Sequence, residues 1–240
     1  MNKAAAKIFS EIVLSEKKIK IKLLGDSITH GVGGEGFNQN GEPIVKGFAR
    51  NPDGYCWANQ FRNYMEENFN CKVVNNACTG TNIEFVIEHF DTLVDADDDI
   101  ILCTIGTNNR HQYHHENPQH TKEEHMRIFY DNIVKLHGMF KEANKKVVFV
   151  ANIPASRGNE NDGTDFRRIF HMCDVHNMYT KASFECGFPL ISMYKRFSEY
   201  CEDKGITVDS LLVDGLHPSN AGYDVMFKLL MDEIGIAQSI

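Results

Sequence analysis

The sequence predicts an α/β fold in which helices cover both faces of a parallel sheet. Five short apolar runs, rich in β-branched residues, occur at fairly even intervals along the chain. Stretches with helical periodicity separate these runs, and such an alternation is typical of βαβ units. The central runs are apolar at consecutive positions, as a strand must be when both faces of its sheet are buried. We therefore expect a parallel sheet at the centre of the molecule.

The predicted strands and helices alternate almost to the end of the chain. The strands are predicted at 19–24, 71–75, 100–105, 146–152 and 188–193. The helices are predicted at 57–69, 83–94, 123–143, 166–186 and 221–234. The first strand differs from the others because Ile19, Ile21 and Leu23 alternate with lysines, which indicates one polar face.

The whole chain, 1–240, is predicted to form a single domain without repeats or linkers. Residues 1–17 predict an amphipathic N-terminal helix, because Ser10 and Glu11 interrupt the apolar stretch that a signal peptide needs. The segment 30–55 contains seven glycines and two prolines, and it predicts a long loop directly after the first strand. Such a loop should lie over the carboxyl edge of the sheet, where ligands bind in open α/β folds.

Composition excludes several classes of protein. The chain is 42% hydrophobic and 24% charged, which is typical of a globular domain and argues against disorder. A formal charge of −8 argues against a nucleic-acid partner. No apolar run approaches the 18 or so residues that a membrane span needs. Seven cysteines without a C-x-x-C motif indicate buried thiols in a reducing compartment, so we expect a cytoplasmic protein.

Candidate catalytic groups, which are polar side chains and the backbone amide of a glycine, follow three predicted strands and precede the last helix. Ser27 follows the first strand in Gly-Asp-Ser-Ile-Thr, Gly80 follows the second, and Asn108 follows the third in Gly-Thr-Asn-Asn. Asp214 and His217 lie three residues apart before the last helix. Because the carboxyl ends of parallel strands meet at one edge, we expect all five residues to lie close together there.

These residue types match the requirements of acyl transfer. Ser27 would be the nucleophile, His217 the base that takes its proton, and Asp214 the acceptor that orients the imidazole. The oxyanion of the tetrahedral intermediate needs fixed donors. The backbone amides of Ser27 and Gly80 and the side-chain amide of Asn108 would supply three.

The four segments resemble the four sequence blocks of the SGNH hydrolase family, also called GDSL-like lipases and esterases. The resemblance extends from about residue 18 to residue 234, in the order of the family's blocks. It implies a three-layer α/β/α sandwich with a flavodoxin-like, five-stranded parallel sheet. It also implies hydrolysis of esters or thioesters, often of acetyl groups on carbohydrates, without a metal or organic cofactor. Asn109 departs from the pattern, because many members have aspartate there.

The expected activity is that of a serine esterase acting on short-chain, above all acetyl, esters of a carbohydrate or another small polar alcohol. The polar segments 31–51 and 110–120 are ill suited to a long acyl chain. A lysophospholipase or acyl-thioesterase of the same family is the enzymatic alternative. The non-enzymatic alternative is an inactive carbohydrate-binding module on this fold. The sequence does not indicate an oligomeric state.

Three further patterns suggest other sites. Residues 31–36 fit G-x-G-x-x-G, but no helix opens after them, which argues against a dinucleotide site. Cys78 lies near Gly80, where a buried thiol is a simpler interpretation than a nucleophile. A group of histidines lacks the H-E-x-x-H spacing of a zinc site, so we expect a loop over the active-site edge and no metal. The histidines are His111, His114, His115, His120 and His125.

Overall fold

A computed structural model of the chain describes residues 1–111, 120–161 and 168–236. Its centre is a five-stranded parallel sheet, which confirms the predicted fold class. The strands are β1 (Ile19–Gly25), β4 (Cys71–Asn75), β5 (Ile100–Thr104), β6 (Lys146–Ala151) and β7 (Leu190–Ser192). Their spatial order is β4-β1-β5-β6-β7. Chain direction across the sheet reverses between β1 and β5, so a crevice opens beyond the carboxyl ends of these two strands.

Helices cover both faces of the sheet and complete the three layers. One face packs against α1 (Lys3–Leu14), α3 (Trp57–Asn68), α9 (Met193–Lys204) and α10 (Asn220–Ile234). The other face packs against α4 (Ile83–Glu88), α5 (Phe90–Leu93), α6 (Lys122–Glu142) and α8 (Met172–Cys186). Two one-turn helices, α2 (Ser27–His30) and α7 (Arg157–Glu160), follow β1 and β6. Within the described ranges, no helix is both long enough and apolar enough to cross a membrane.

The consecutive apolar residues of the central strands supply two separate cores. On β5, Ile100 and Leu102 face the core under α1, α3, α9 and α10, whereas Ile101 and Cys103 face the core under α4–α6 and α8. All four side chains are buried. Successive side chains of a strand point to opposite faces, so only an uninterrupted apolar run can supply both cores.

The polar face of β1 is neutralised by a cluster of aspartates at the start of β5. The Lys22 ammonium is fully buried and lies 2.7 Å from the carboxylate of Asp95 and 3.4 Å from that of Asp98. Lys20 lies 2.8 Å from Asp97. These ion pairs explain how alternating lysines fit into a strand of a covered sheet, because a buried charge needs a charged partner.

The glycine-rich segment 30–55, predicted to be a loop, contains a small β-hairpin. Strands β2 (Pro43–Val45) and β3 (Phe48–Ala49) pair antiparallel. The Phe48 ring packs edge-on against Phe85 of α4, with ring centres 5.5 Å apart. Strands of two and three residues are too short to show a periodic pattern in the sequence, which is why the hairpin was not predicted.

Apart from the one-turn helices α2 and α7, which were not predicted, the helices differ from the prediction in three regions. The helix predicted at 83–94 is two shorter ones, α4 and α5, which meet at His89 (φ −102°, ψ 20°). The helix predicted at 166–186 begins at Met172, and residues 166 and 167 lie outside the described ranges. Helix α9 was not predicted, because only Met193, Phe197 and Cys201 form its buried stripe and the rest of the segment is polar.

Candidate active site

Ser27 lies at the first position of α2, immediately beyond the carboxyl end of β1. The preceding residue, Asp26, ends the strand in an extended conformation and accepts a hydrogen bond from the Ile28 amide (3.1 Å). This side-chain cap starts the helix at Ser27 and satisfies one of its free amides. Asp26 is completely buried, and its carboxylate also lies 3.4 Å from the side-chain amide of Asn152. The Ser27 side chain therefore does not cap the helix, and its hydroxyl can bond to another residue.

Ser27, His217 and Asp214 form a continuous hydrogen-bonded series. The Ser27 Oγ lies 2.8 Å from His217 Nε2, although the two residues are 190 positions apart in the chain. His217 Nδ1 lies 2.7 Å from Asp214 Oδ2. The other carboxylate oxygen of Asp214 accepts hydrogen bonds from the backbone amides of Leu216 (3.0 Å) and His217 (2.8 Å). Both oxygens of Asp214 are thus held, and they fix the orientation of the imidazole ring.

The protonation states in this series follow from the partners. Burial raises the pKa of Asp214, but the hydrogen bonds from the His217 amide and imidazole outweigh burial, so its pKa lies below the usual value. An ionised carboxylate can only accept, so His217 carries its proton on Nδ1. The lone pair of Nε2 then faces the hydroxyl of Ser27. By contrast, burial raises the pKa of Asp26, and a hydrogen bond from Thr107 offsets part of this effect.

Gly80 and Asn108 lie on two connected turns at the same edge of the sheet. Gly80 has φ +76°, a conformation that favours glycine. Asn108 donates a hydrogen bond from Nδ2 to the carbonyl of Thr81 (2.7 Å), which leaves its second amide hydrogen available. Among the described residues, the backbone amides of Ser27 and Gly80 have no acceptor. The site therefore contains three available N–H groups in addition to the Ser27–His217–Asp214 series.

Asn109, which departs from the family pattern, fits its surroundings better than aspartate would. Its side-chain oxygen accepts a hydrogen bond from the Ile83 amide (3.0 Å) at the start of α4. Its Nδ2 donates to the carboxylate of Glu84 (2.7 Å), whose other oxygen accepts from Asn132 (2.8 Å). An aspartate at position 109 would place a second carboxylate against Glu84, and like charges in contact repel each other.

The glycine-rich segment contacts the candidate base directly. Gly33 has φ +94°, and a Cβ at this position would lie 2.6 Å from the Pro218 carbonyl oxygen and 3.0 Å from the Cβ of His217. The segment is held there because the Glu35 amide donates to the side chain of Asn220 (2.9 Å). Sequence reasoning placed this segment over the edge of the sheet but did not single out Gly33. The high density of glycines in this segment was the sequence signal that could have indicated a close backbone contact.

For the ester hydrolysis that the sequence predicts, we expect Gly33→Ala to lower kcat/KM by about 10²-fold, because a shift of about 1 Å in a catalytic group has an effect of this size. The added methyl would push against the backbone that carries His217. Hydrolysis of p-nitrophenyl acetate measures the effect. Gly47→Ala is the matched control, because Gly47 also has positive φ (+86°) but open space around it. Equal losses in the two variants would show that backbone strain alone is responsible.

Of the histidines that the sequence grouped together, the structure describes His111, His120 and His125, whereas His114 and His115 lie outside the described ranges. His111 follows the short 3₁₀ helix Asn108–Arg110 and bonds to Arg168 (2.9 Å). The prediction of one loop over the edge is wrong for His125, which is buried in α6 with its ring 5.4 Å from that of His120. Helix periodicity places His125 on the inward face.

Two groups of potential metal ligands occur in the parts of the chain that the structure describes, and lysines neutralise both. His171, Cys173 and Asp174 lie together at the start of α8, where the Lys122 ammonium is 2.8 Å from the Asp174 carboxylate. The second group is the aspartate cluster beside β1, which Lys20 and Lys22 already occupy.

The cysteines are all free thiols, and most are buried. Burial raises the pKa of Cys78, the thiol nearest Gly80 in the sequence, to about 12. A nucleophilic cysteine needs a lowered pKa and an exposed thiol, so the environment of Cys78 supports the structural interpretation.

Comparison with known proteins identifies the family of this chain. The family model for GDSL-like lipases and acylhydrolases matches residues 23–225. No curated protein sequence gives a significant match. A putative GDSL-like lipase from Parabacteroides merdae has a similar structure (TM-score 0.67, 19% identity, 92% of this chain and 97% of the other). So does a lipase/acylhydrolase from Enterococcus faecalis (TM-score 0.64, 20% identity, 90% and 95%).

An acetylxylan esterase from Geobacillus stearothermophilus is similar to the same extent (TM-score 0.65, 19% identity, 92% of this chain and 97% of the other). At these identities the solved structures support the fold, whereas the family model covers most of the sequence, including Ser27 and His217. The chain belongs to the GDSL-like lipase/acylhydrolase family.

Proposed function

We propose that this protein is a serine esterase that hydrolyses short-chain acyl esters through a covalent acyl-enzyme intermediate. The observation that carries the proposal is the series Ser27 Oγ–His217 Nε2–Asp214, with successive distances of 2.8 and 2.7 Å. A serine hydroxyl is a weak nucleophile unless a base removes its proton during attack, and this series provides that base in the required tautomer. Membership of an acylhydrolase family supports the same reaction class.

In the first half-reaction, Ser27 Oγ attacks the ester carbonyl while its proton moves to His217 Nε2. The ionised Asp214 stabilises the resulting imidazolium through Nδ1–H. The tetrahedral intermediate collapses when the C–O bond to the alcohol breaks, and His217 returns the proton to the leaving oxygen. In the second half-reaction, His217 takes a proton from water, and the hydroxide formed attacks the acyl group on Ser27. Collapse releases the acid and restores the Ser27 hydroxyl.

The charge that develops on the carbonyl oxygen needs donors that are already in place. We assign this role to the backbone amides of Ser27 and Gly80 and to the second amide hydrogen of Asn108. The first hydrogen of Asn108 is used by the Thr81 carbonyl, which orients the side chain before substrate arrives. Each such donor contributes a factor of about 10²–10³ to turnover.

The proposed substrate is an acetyl ester of a carbohydrate or a similar small polar alcohol. Ser27 is buried, with only 4% of the residue exposed, and we propose that a small acyl group fits beside its hydroxyl better than a long one. Glu35 and Asn220, which bond to each other beside the His217 loop, give this side of the site a polar rim suited to an alcohol with several hydroxyls. The acetylxylan esterase among the structural neighbours makes acetylated sugars the natural compounds to test.

Acyl-chain length is the direct test of the substrate. We expect kcat/KM for p-nitrophenyl acetate to exceed that for p-nitrophenyl octanoate by at least about tenfold, which is about 1.4 kcal/mol in the transition state. Glucose pentaacetate and acetylated xylan are then compared by titration of the released acetate. A preference for the octanoate would contradict the acetyl proposal and favour the lysophospholipase or acyl-thioesterase alternative.

Labelling with a fluorophosphonate separates the enzyme from a binding module on the same fold. The reagent reacts with an activated serine, and we expect one equivalent to attach to Ser27, located by mass spectrometry of the digested protein. Ser10, which is exposed on α1 and donates to the Lys7 carbonyl, is an internal control for unactivated hydroxyls. No labelling, together with no turnover of any ester, would favour the binding module.

A further inference from the structure

The turn that carries Gly80 is held at three points, and one of them involves a buried histidine. The Cys78 amide donates to the Gly25 carbonyl (3.0 Å), which ties the beginning of the turn to the end of β1. The Thr81 carbonyl accepts from Asn108 (2.7 Å) at the other end. Between them, the Thr79 hydroxyl lies 2.8 Å from Nδ1 of His30. Thr79 is the residue directly before Gly80, so this contact is the one nearest to the Gly80 amide.

His30 belongs to the same helical turn as Ser27 and has defined partners on all sides. It is the last residue of α2, three positions after Ser27, and its side chain is almost completely buried. Its Nε2 lies 2.9 Å from the carbonyl oxygen of Ala49, at the end of the β2–β3 hairpin. The ring also packs edge-on against Phe37, with ring centres 5.4 Å apart. These contacts leave the imidazole one orientation.

The hydrogen bonds of His30 have a single consistent assignment. A backbone carbonyl can only accept, so Nε2 of His30 carries the proton and donates to Ala49. Nδ1 of the neutral ring then has a lone pair, and it accepts the hydroxyl proton of Thr79. Burial lowers the pKa of His30, and the bond to Ala49 offsets part of the effect, so the neutral ring is favoured. His30 thus acts as a fixed bridge between the hairpin and the turn before Gly80.

We propose that His30 is a positioning residue that holds Thr79, and through it the Gly80 amide, at a fixed place relative to Ser27. The inference rests on the proposed function, because it assumes that the Gly80 amide binds the oxyanion. His30 does not touch the reacting atoms in this proposal. It joins the helix that supplies the nucleophile to the turn that supplies an oxyanion donor.

The expected consequence is a loss in kcat with little change in KM. An oxyanion donor acts only when it lies about 2.7–3.1 Å from the developing charge, which forms in the transition state and not in the bound ester. Without the bond to His30, the turn keeps its anchors at Cys78 and Thr81 but gains freedom at Thr79 and Gly80. Partial loss of one donor should lower kcat by less than the factor of about 10²–10³ that complete loss of a donor causes.

The test is to replace the Thr79 hydroxyl and restore it in a second variant. We expect Thr79→Val to lower kcat for p-nitrophenyl acetate about tenfold and to leave KM within about twofold, and Thr79→Ser to recover most of kcat. Rates are expressed per active site, counted by fluorophosphonate titration, so that a loss of folded protein does not count as a loss of kcat. Thr180→Val is the matched control, because Thr180 is exposed on α8 and its hydroxyl donates to the His176 carbonyl within the same helix.

A second pair of variants keeps the inference testable if Thr79→Val does not fold. Asparagine at position 30 can place its side-chain oxygen near the position of Nδ1 and accept from Thr79, but it cannot reach Ala49. We expect His30→Asn to lower Tm and retain more kcat per active site than His30→Ala, and Thr79→Val to have no additional effect on kcat in the His30→Ala background.

Specific outcomes would overturn the inference. Full kcat in Thr79→Val, or equal kcat per active site in His30→Asn and His30→Ala, would show that His30 has no positioning role. If the inference fails in this way, the proposed esterase function still holds as long as the wild type is active and the Ser27→Ala variant is inactive. An inactive wild type would instead contradict the proposed function itself.

Discussion

Replacing Ser27 by alanine is expected to lower turnover of p-nitrophenyl acetate by at least about 10⁴-fold, because the variant has no nucleophile and can form no acyl-enzyme. In the proposed mechanism other contributions to catalysis remain, since the Gly80 amide and Asn108 do not depend on the Ser27 hydroxyl. The residual rate should therefore still exceed the uncatalysed rate, by about 10³–10⁴-fold. The variant should also fail to react with a fluorophosphonate.

The fold of the Ser27→Ala variant should be intact. Asp26, not Ser27, caps α2, and among the described residues the Ser27 hydroxyl bonds only to His217. We therefore expect Tm within a few degrees of that of the wild type, since the loss of one hydrogen bond amounts to about 1 kcal/mol. Ser10→Ala, on the exposed surface of α1, is the control and should keep full activity. Equal turnover in wild type and Ser27→Ala would exclude Ser27 as the nucleophile.

Asp214→Asn is expected to lower kcat by about 10⁴-fold, because the substitution stabilises the wrong tautomer of His217. Oδ1 of Asp214 accepts two backbone hydrogen bonds, from the amides of Leu216 and His217. In the variant, only the amide oxygen can take this position, so the NH₂ group must occupy the position of Oδ2 and face Nδ1 of His217. Nδ1 then becomes the acceptor, Nε2 carries the proton, and His217 cannot take the proton of Ser27.

Asp214→Ala separates this tautomer effect from the loss of charge. The Asp214 side chain is 53% exposed, so a water molecule can take its place and accept the Nδ1 proton. We therefore expect the alanine variant to retain about tenfold more activity than the asparagine variant, although asparagine is the closer match in shape. Steady-state hydrolysis of p-nitrophenyl acetate measures both. Higher activity in Asp214→Asn would contradict the proposed tautomer of His217.

The sheet and its flanking helices were predictable because their signals are local. The uninterrupted apolar run at residues 100–103 of β5 is typical of a strand buried on both faces. Helix α9 and the β2–β3 hairpin were missed for the opposite reason, because too few of their residues are buried to form a pattern. The break of one predicted helix at His89 was also not visible in the hydrophobic periodicity.

The five candidate site residues could be named from the sequence because each lies in a short motif at the end of a predicted element. Ser27 and Asn108 follow strands, and parallel strands deliver their carboxyl ends to one edge. Motif and topology together predicted a common location for these residues. The motifs and the topology did not indicate the contact of Gly33 with His217 or the bridge from His30 to Thr79.

The amino-acid sequence by itself determined the fold class, the family and the residue types available for chemistry, because periodicity, composition and motifs are properties of neighbouring residues. Only the tertiary structure decided which partners meet. It brings His217 within hydrogen-bond distance of Ser27 across 190 positions and places the Thr79 hydroxyl on the buried ring of His30. Hydrogen bonds depend on distances of a few tenths of an ångström, and packing between distant segments sets such distances.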